Sequence, residues 1–216
     1  MENFIESYYK LLTEDYKTIN LTRITNFEEF KNKQIEDSVQ PLSQSNLFKE
    51  MINKNKLLID VGFGGGFPIL PLANELKNIT FLGVETRGKK VKVVSEIASA
   101  LNLRNVSLTH NRIENLLIDK SVVITFKAVG KVFDFLSRIN VAAEEVYVFF
   151  YKGPNFYDLE AEQIEKSKEN WEIIEEREIL IENVEKRYLI GFKYKKVPCR
   201  TTTKSLNNLV KLTDLI

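Results

Sequence analysis

Four residues at alternate positions, Asp60, Gly62, Gly64 and Gly66, form the part of this chain best suited to chemistry. They follow a short apolar run, and the next apolar run along the chain ends on an acid, Glu85. Glycines at the end of a strand allow a sharp turn and let a ligand contact bare backbone. An acid after the following strand can accept hydrogen bonds from both hydroxyls of a ribose. The pattern therefore predicts a nucleotide-binding turn between a strand and a helix.

The glycine spacing separates two kinds of nucleotide ligand. A dinucleotide fingerprint requires G-x-G-x-x-G, but Phe67 occupies the position of the third glycine. The pattern present, acid-x-Gly-x-Gly-x-Gly, is the first motif of methyltransferases that use S-adenosylmethionine, a cofactor without a pyrophosphate. The alternative is a structural turn, because any tight turn can be rich in glycine. The strand, the alternate glycines and the second acid together favour the cofactor.

Length and composition fit a cytoplasmic globular protein. The 216 residues are enough for one large domain with a small extension, and 44% of them are hydrophobic and 28% charged. The one cysteine, Cys199, cannot form an internal disulfide, and the sequence offers no metal framework. No stretch approaches the roughly 20 apolar residues that span a bilayer. We expect a monomer without membrane contact.

Charge is distributed unevenly although the net charge is only +1. The segment 158–186 is acidic, whereas the segment from Lys193 to the end of the chain carries six basic residues against one acid. A basic tail beside an acidic helix can bind nucleic acid, and it can equally be a solvated polar surface.

The apolar periodicity predicts a helical extension followed by alternating strands and helices. Residues 1–55 show helical spacing and no strand alternation, with helices near residues 4–12, 25–30 and 41–51. Strands are predicted at 57–61, 79–84, 105–109, 121–127, 145–151, 171–180 and 186–194, and helices at 69–77, 88–102, 131–141 and 155–169. This order predicts a seven-stranded, mostly parallel α/β sheet with an antiparallel hairpin at one edge, a Rossmann-like class I methyltransferase fold.

This organisation divides the chain into a helical extension (1–55), a cofactor-binding domain (56–196) and a basic tail (197–216). Ligands of open α/β sheets bind outside the carboxyl ends of the strands. That rule selects the glycine loop and the residues after the other strands. These candidates are Glu85, Thr86, Arg87, Ile113, Glu114, Lys127 and Lys152.

Several segments resemble the bacterial glucose-inhibited division protein B family, methyltransferases of small-subunit ribosomal RNA that modify guanine at N7. The similar segments are Asn20-Leu21-Thr22, Ile35-Glu36-Asp37-Ser38, Asp60 to Pro68, Arg87 to Val91, Arg112-Ile113-Glu114 and Lys152-Gly153. The resemblance covers roughly residues 16–194.

The resemblance implies roles for individual residues. Gly62, Phe67, Ile113 and Glu114 would contact S-adenosylmethionine, and Glu85 would bind its ribose. Together with Gly64, Gly66, Thr86 and Lys127 they form the predicted cofactor set. The predicted RNA contacts are Arg87, Lys89, Lys152, Arg200 and Lys204, and the predicted partner is 16S ribosomal RNA or a precursor of the small subunit.

Two single positions depart from the family pattern, besides the segment Val197-Pro198-Cys199-Arg200, which only loosely matches the family's Pro-Arg-Arg-Gly-rich end. Lys127 stands where the family has an arginine, and Gln34 stands where it has a histidine. Lysine keeps the charge but lacks the bidentate fork of arginine. These departures motivate an alternative, an inactive RNA-binding module that keeps the cofactor fold. A further alternative is a methyltransferase of small molecules or proteins.

Other side chains admit structural explanations. His110 fits a surface position at a strand end, and Trp171 fits core or edge packing. Asp37 fits a helix cap or a contact to RNA or cofactor. Lys152 fits a phosphate contact or a solvated turn. Methylation of guanine N7 removes no proton, so the predicted activity requires neither a catalytic cysteine nor a general base.

Overall fold

The computed structural model describes residues 1–195 and 208–216. All seven predicted strands form, with ends within one residue of the prediction. The strands of the main sheet are β1 (Leu57–Val61), β2 (Thr80–Glu85), β3 (Val106–His110), β5 (Val122–Lys127), β7 (Val146–Lys152), β8 (Trp171–Ile179) and β9 (Arg187–Tyr194). Their order is β3-β2-β1-β5-β7-β9-β8.

Strand direction follows from the connections. The five strands from β3 to β7 are parallel, and β9 is antiparallel to both β7 and β8. The predicted edge hairpin is therefore confirmed. Trp171 opens β8 and is 3% exposed, as its predicted packing role requires. The order reverses direction at β1, and such a switch point is where open α/β sheets bind ligands.

Helices cover both faces of the sheet. They are α1 (Glu2–Lys10), α2 (Phe27–Phe30), α3 (Asp37–Gln44), α4 (Asn46–Asn55), α5 (Ile69–Glu75), α6 (Gly88–Ala100), α7 (Val132–Leu136) and α8 (Phe156–Ser167). One short π-helical segment (Leu11–Asp15) continues from α1, and another (Lys31–Glu36) connects α2 to α3.

The N-terminal extension packs on the glycine loop through aromatic rings. Tyr8 stacks on Phe67 with ring centroids 5.1 Å apart, and Phe30 meets both rings edge-on. The predicted single helix at 41–51 is two helices. Ser45 has an extended backbone, and its hydroxyl accepts a hydrogen bond from the Phe48 amide at 3.0 Å, which starts α4.

A second, three-stranded sheet was not predicted. It pairs β4 (Leu116–Ile118) with β6 (Asn140–Val141) and β10 (Val210–Lys211). The helix predicted at 131–141 ends early because Asn140 enters this sheet, where its side chain donates to the Glu114 carbonyl at 2.9 Å. Strands of two or three residues are too short for a periodic signal.

The end of the chain packs on the main domain. Leu212 is fully buried, and Thr213 donates two hydrogen bonds to the Asp119 carboxylate, at 3.1 and 2.7 Å. The segment predicted as a tail from residue 197 thus returns to the domain over 208–216. Within the described ranges, every helix is too short or too polar to cross a bilayer.

Candidate functional site

A cleft of about 520 Å³ opens at the carboxyl ends of β1, β2, β3 and β5. The glycine loop forms its floor, and the turns after β2, β3 and β5 form its walls. Eight of the nine predicted cofactor residues line it: Gly62, Gly64, Phe67, Glu85, Thr86, Ile113, Glu114 and Lys127. The strand-end rule therefore selected residues that the fold brings together.

Gly62, Gly64 and Gly66 of the glycine loop have different structural roles. Gly62 has φ +75°, and a Cβ there would lie 2.8 Å from the Val129 side chain, so only glycine fits. Gly64 has φ +56°, and a Cβ there would make ordinary contacts, 3.8 Å from Lys90 Nζ and 3.9 Å from the Gly62 carbonyl oxygen. Gly66 is not part of the cleft lining. A Cβ at Gly66 would collide with the Tyr8 hydroxyl, so this glycine admits the N-terminal extension.

Three donors orient the Glu85 carboxylate. It accepts hydrogen bonds from the Gly64 amide at 3.2 Å, the Arg87 amide at 3.1 Å and the Thr86 hydroxyl at 3.2 Å. Glu85 is 6% exposed. The arrangement links the glycine loop to the end of β2 and holds an acceptor at the cleft wall, as ribose recognition requires.

Asp60, the acid that opens the motif, is fully buried in β1. Burial raises the pKa of its carboxyl to about 8, although the Thr125 hydroxyl at 2.9 Å, the Ile69 amide and the charge of Lys127 favour the ionised form. Among the described residues, its Oδ2 atom has no hydrogen-bond partner. Asp60 supports the loop from below and does not line the cleft.

Lys127 reaches the cleft from the end of β5 and is held by the N-terminal extension. Its Nζ lies 3.0 Å from Asp37 Oδ2 and donates to Gln34 Oε1 at 3.3 Å. The two residues that depart from the family pattern are therefore hydrogen-bonded to each other. Asp37 also lies 3.4 Å from Arg187 Nε, so it serves as an ion-pair partner and not as a helix cap.

The walls combine apolar and polar groups. Ile113 is 2% exposed and lies at the cleft beside Glu114, whose carboxylate is 3.5 Å from Arg112. Ile113 offers an apolar surface for a flat ring, and the neighbouring backbone offers polar groups for its edge. His110 is exposed outside the cleft lining, with Nε2 2.9 Å from the Thr86 carbonyl, which fits its predicted surface position.

Cations ring the mouth of the cleft. Of the predicted RNA contacts, Arg87 lies in the lining. Lys89 is exposed on α6 outside it. Three further cations line the cleft: Arg112, which follows β3 and is selected by the strand-end rule, and Lys90 and Arg138, which that rule does not select. Arg138 follows α7 and lies eleven residues after the end of β5, so the tertiary fold and not a strand-end position brings it to the cleft.

Lys152 occupies a different environment from either predicted one. Its side chain is 8% exposed and its Nζ lies 2.8 Å from Glu160 Oε1. The pKa of Lys152 is lowered by burial, an effect that the Glu160 carboxylate opposes. It is neither a solvated turn residue nor a surface cation available to phosphate. Arg200, Lys204 and Cys199 lie outside the described residues.

Residues 1–190 match the GidB family, described as rRNA small subunit methyltransferase G. The chain belongs to this family. The ribosomal RNA small subunit methyltransferase G of Lactobacillus johnsonii is 35% identical over 163 residues, which cover 72% of this chain and 66% of that protein. The protein of the same name from Lactococcus lactis is 31% identical over 161 residues, covering 74% and 65%. The chain spans just under two thirds of the length of these relatives.

Solved structures share the fold. A SAM-dependent methyltransferase from Aquifex aeolicus superposes with a TM-score of 0.55 at 16% identity, covering 78% of this chain and 98% of that one. Magnesium protoporphyrin IX methyltransferase from Synechocystis, with bound SAM, gives 0.55 at 12% identity, covering 90% and 98%. The predicted Rossmann-like methyltransferase architecture is confirmed.

Proposed function

We propose that this chain is an S-adenosylmethionine-dependent methyltransferase of small-subunit ribosomal RNA, with guanine N7 as the acceptor atom. The observation that carries the proposal is the cleft itself, in which a glycine loop and an oriented Glu85 meet at the switch point of the sheet. Membership of the family supports the RNA substrate.

The residues present fit the cofactor. Glu85 would accept the ribose hydroxyls, and Ile113 would cover the adenine. Gly64 lines the cleft, where a ligand would meet its bare backbone, and Phe67 would flank the methionine end. When bound, the cofactor supplies an electrophilic methyl group on a sulfonium.

Alignment is the catalytic task that remains for the protein. Guanine N7 has a free lone pair and no proton, so in-line displacement requires positioning and no general base. The lining residues within the described part of the chain include neither histidine nor cysteine, which suits this acceptor. Lys127, held by Asp37 and Gln34, keeps a fixed positive charge at the cleft.

The cations at the mouth of the cleft, here called the basic mouth, would bind the RNA backbone. Arg87, Lys90 and Arg138 show no carboxylate partner within residues 1–195 and 208–216, so their charges remain available to phosphates. We include Lys89, Arg200 and Lys204 as further contacts on the grounds of charge and sequence position. The partner would be 16S ribosomal RNA or a precursor of the small subunit, bound by a monomeric chain in the cytoplasm.

The second candidate function is an RNA-binding module without activity. The engagement of Lys127 by Asp37 and Gln34 favours it, since a cation used in these contacts is less available to a ligand. Calorimetry with S-adenosylhomocysteine, followed by transfer of labelled methyl groups to small ribosomal subunits, separates the two. Binding with transfer to RNA supports the enzyme, whereas RNA binding without transfer supports the module.

A further inference from the structure

A buried ion pair outside the cleft, formed by Lys152 and Glu160, is hydrogen-bonded to the segment that connects β5 to α7. Lys152 Nζ donates to the Gly130 carbonyl oxygen at 2.8 Å and lies 2.8 Å from Glu160 Oε1. The other oxygen of Glu160 accepts the Val132 amide hydrogen at 2.7 Å. Lys152 and Glu160 are 8% and 9% exposed.

The segment between β5 and α7 forms one wall of the cleft. Lys127, Ala128 and Val129 all line it. Ala128 has φ +54°, an unfavourable backbone conformation for a residue with a side chain, so surrounding contacts must maintain it. The Val129 side chain lies against Gly62 of the glycine loop. Movement of this segment would therefore change both the cleft wall and its packing against the glycine loop.

The hydrogen bonds within this segment and α7 do little to stabilise its conformation. Helix α7 has five residues, too few to be stable by its own hydrogen bonds. The Val132 amide is an unpaired donor at the start of that helix unless Glu160 accepts from it. Lys152 is itself fixed, since its ammonium lies 5.3 Å from the centroid of the Phe150 ring and 5.6 Å from that of Phe156.

We infer that Lys152 and Glu160 are positioning residues, which hold residues 128–132 in the conformation that completes the cofactor cleft. The inference rests on the proposed function, because it assigns the pair to the geometry of that same site. A buried ion pair is poor evidence for stability alone, since apolar residues of similar volume often stabilise a core equally well. The hydrogen bonds of this pair to Gly130 and Val132 instead indicate that it fixes the conformation of this segment.

The test compares Lys152→Met, Lys152→Arg and Glu160→Gln with the matched control Lys168→Met. Lys168 forms an ion pair with Glu165, 2.6 Å long and exposed, beside the end of α8. The measurements are the melting temperature, the Kd for S-adenosylhomocysteine, steady-state kcat and KM with small ribosomal subunits, the salt dependence of RNA binding, and hydrogen exchange at the Val132 amide.

We expect Lys152→Met to lower kcat/KM by about 10- to 100-fold, the range that small misplacements at a site produce. Cofactor affinity should fall and Val132 should exchange faster, while the salt dependence of RNA binding stays unchanged. Lys152→Arg, which keeps the charge and the donors, should recover most of the loss. Glu160→Gln should give an intermediate loss, and Lys168→Met should behave as wild type.

Two results would overturn the inference. Wild-type cofactor affinity and Val132 exchange in folded Lys152→Met would remove the positioning role. A reduced salt slope for RNA binding, with cofactor affinity unchanged, would make Lys152 a phosphate contact. If wild-type protein itself fails to bind S-adenosylhomocysteine, the proposed function fails separately, and Val132 exchange in Glu160→Gln and Lys152→Met still decides whether the pair holds the segment.

Discussion

Lys127 and Asp37 form a buried ion pair that joins the N-terminal extension to the cofactor cleft. Nζ lies 3.0 Å from Oδ2, and the two side chains are 9% and 8% exposed. Arg187 on β9 approaches the other carboxylate oxygen at 3.4 Å. One carboxylate therefore serves two cations, and the cluster keeps a net positive charge beside the cleft.

Removing the carboxylate should destabilise the protein. Asp37→Asn leaves the buried Lys127 and the half-buried Arg187 without their counter-ion, and breaking a buried pair in this way typically costs about 3–5 kcal/mol. Urea denaturation of the variant measures this loss. Glu29→Gln is the control, because its pair with Lys33 is 41–43% exposed and such pairs contribute under about 1 kcal/mol. Equal stability of the two variants would show that the Asp37 pair contributes no more than a surface one.

The pair also predicts how substitutions at Lys127 rank. Arginine keeps the charge and can donate to Asp37 and Gln34 together, so Lys127→Arg should retain wild-type methyl transfer or exceed it. Lys127→Ala should lose activity and stability together. Initial rates with small ribosomal subunits test the order. Failure of both variants would show a pocket rebuilt around lysine, and full activity of Lys127→Ala would remove the residue from function.

Glu85 should contribute strongly to cofactor affinity. Hydrogen bonds to a charged group contribute roughly 1.5–3 kcal/mol. Glu85→Ala should therefore weaken S-adenosylhomocysteine binding by about 10- to 150-fold in calorimetry, at about 1.4 kcal/mol per decade. Glu172→Ala, an exposed position on the far edge strand, should leave the affinity unchanged. A loss below about threefold at Glu85 would mean that its carboxylate only braces the loop.

Asp60 should make the protein less stable as pH rises. Its folded pKa of about 8 lies above the ordinary value of 3.8, so between these values the folded state binds a proton that the unfolded state has released. Stability then falls with rising pH through this window, at up to about 1.4 kcal/mol per pH unit. Asp60→Asn removes the titrating group. The unfolding free energy of wild type minus that of the variant should fall from pH 5 to 7, and a constant difference would contradict the raised pKa.

The basic mouth should make RNA binding depend on salt. Each phosphate contact on a single strand contributes about −0.7 to the slope of log affinity against log salt. Replacing Lys90 and Arg138 with alanine should make that slope shallower by about 1.4 and leave cofactor affinity nearly unchanged. The control replaces Lys49 and Lys166, exposed cations away from the cleft. Identical slopes for both double variants would show that Lys90 and Arg138 do not contact phosphates and are ordinary solvated surface residues.

Periodicity and glycine spacing predicted the seven main strands, and the strand-end rule then placed Glu85, Ile113 and Lys127 at one edge. These signals are local in sequence, so the sequence alone is enough to predict them. The side chains that these residues contact in the folded protein could not be predicted in this way. Nothing near Lys127 in sequence indicates Asp37, and nothing near Lys152 indicates that its charge is buried against Glu160.

Gly66 illustrates the same limit. It belongs to the motif by spacing, yet its lack of a side chain makes room for Tyr8, fifty-eight residues earlier in the chain. The glycine pattern therefore combines ligand contact with packing of the extension. Short strands such as Asn140–Val141 escaped prediction because their pairing, and not their composition, defines them.

Methyl transfer to purified small ribosomal subunits tests the central claim most directly. Labelled S-adenosylmethionine, nuclease digestion and mass spectrometry would show where the methyl group resides. Gly64→Val should abolish transfer, since φ is +56° and the side chain would enter the cleft, whereas Gly153→Ala, with open space around it, should not. We predict a single 7-methylguanine in 16S ribosomal RNA with wild-type protein. No label in RNA, from protein that binds S-adenosylhomocysteine normally, would contradict the account.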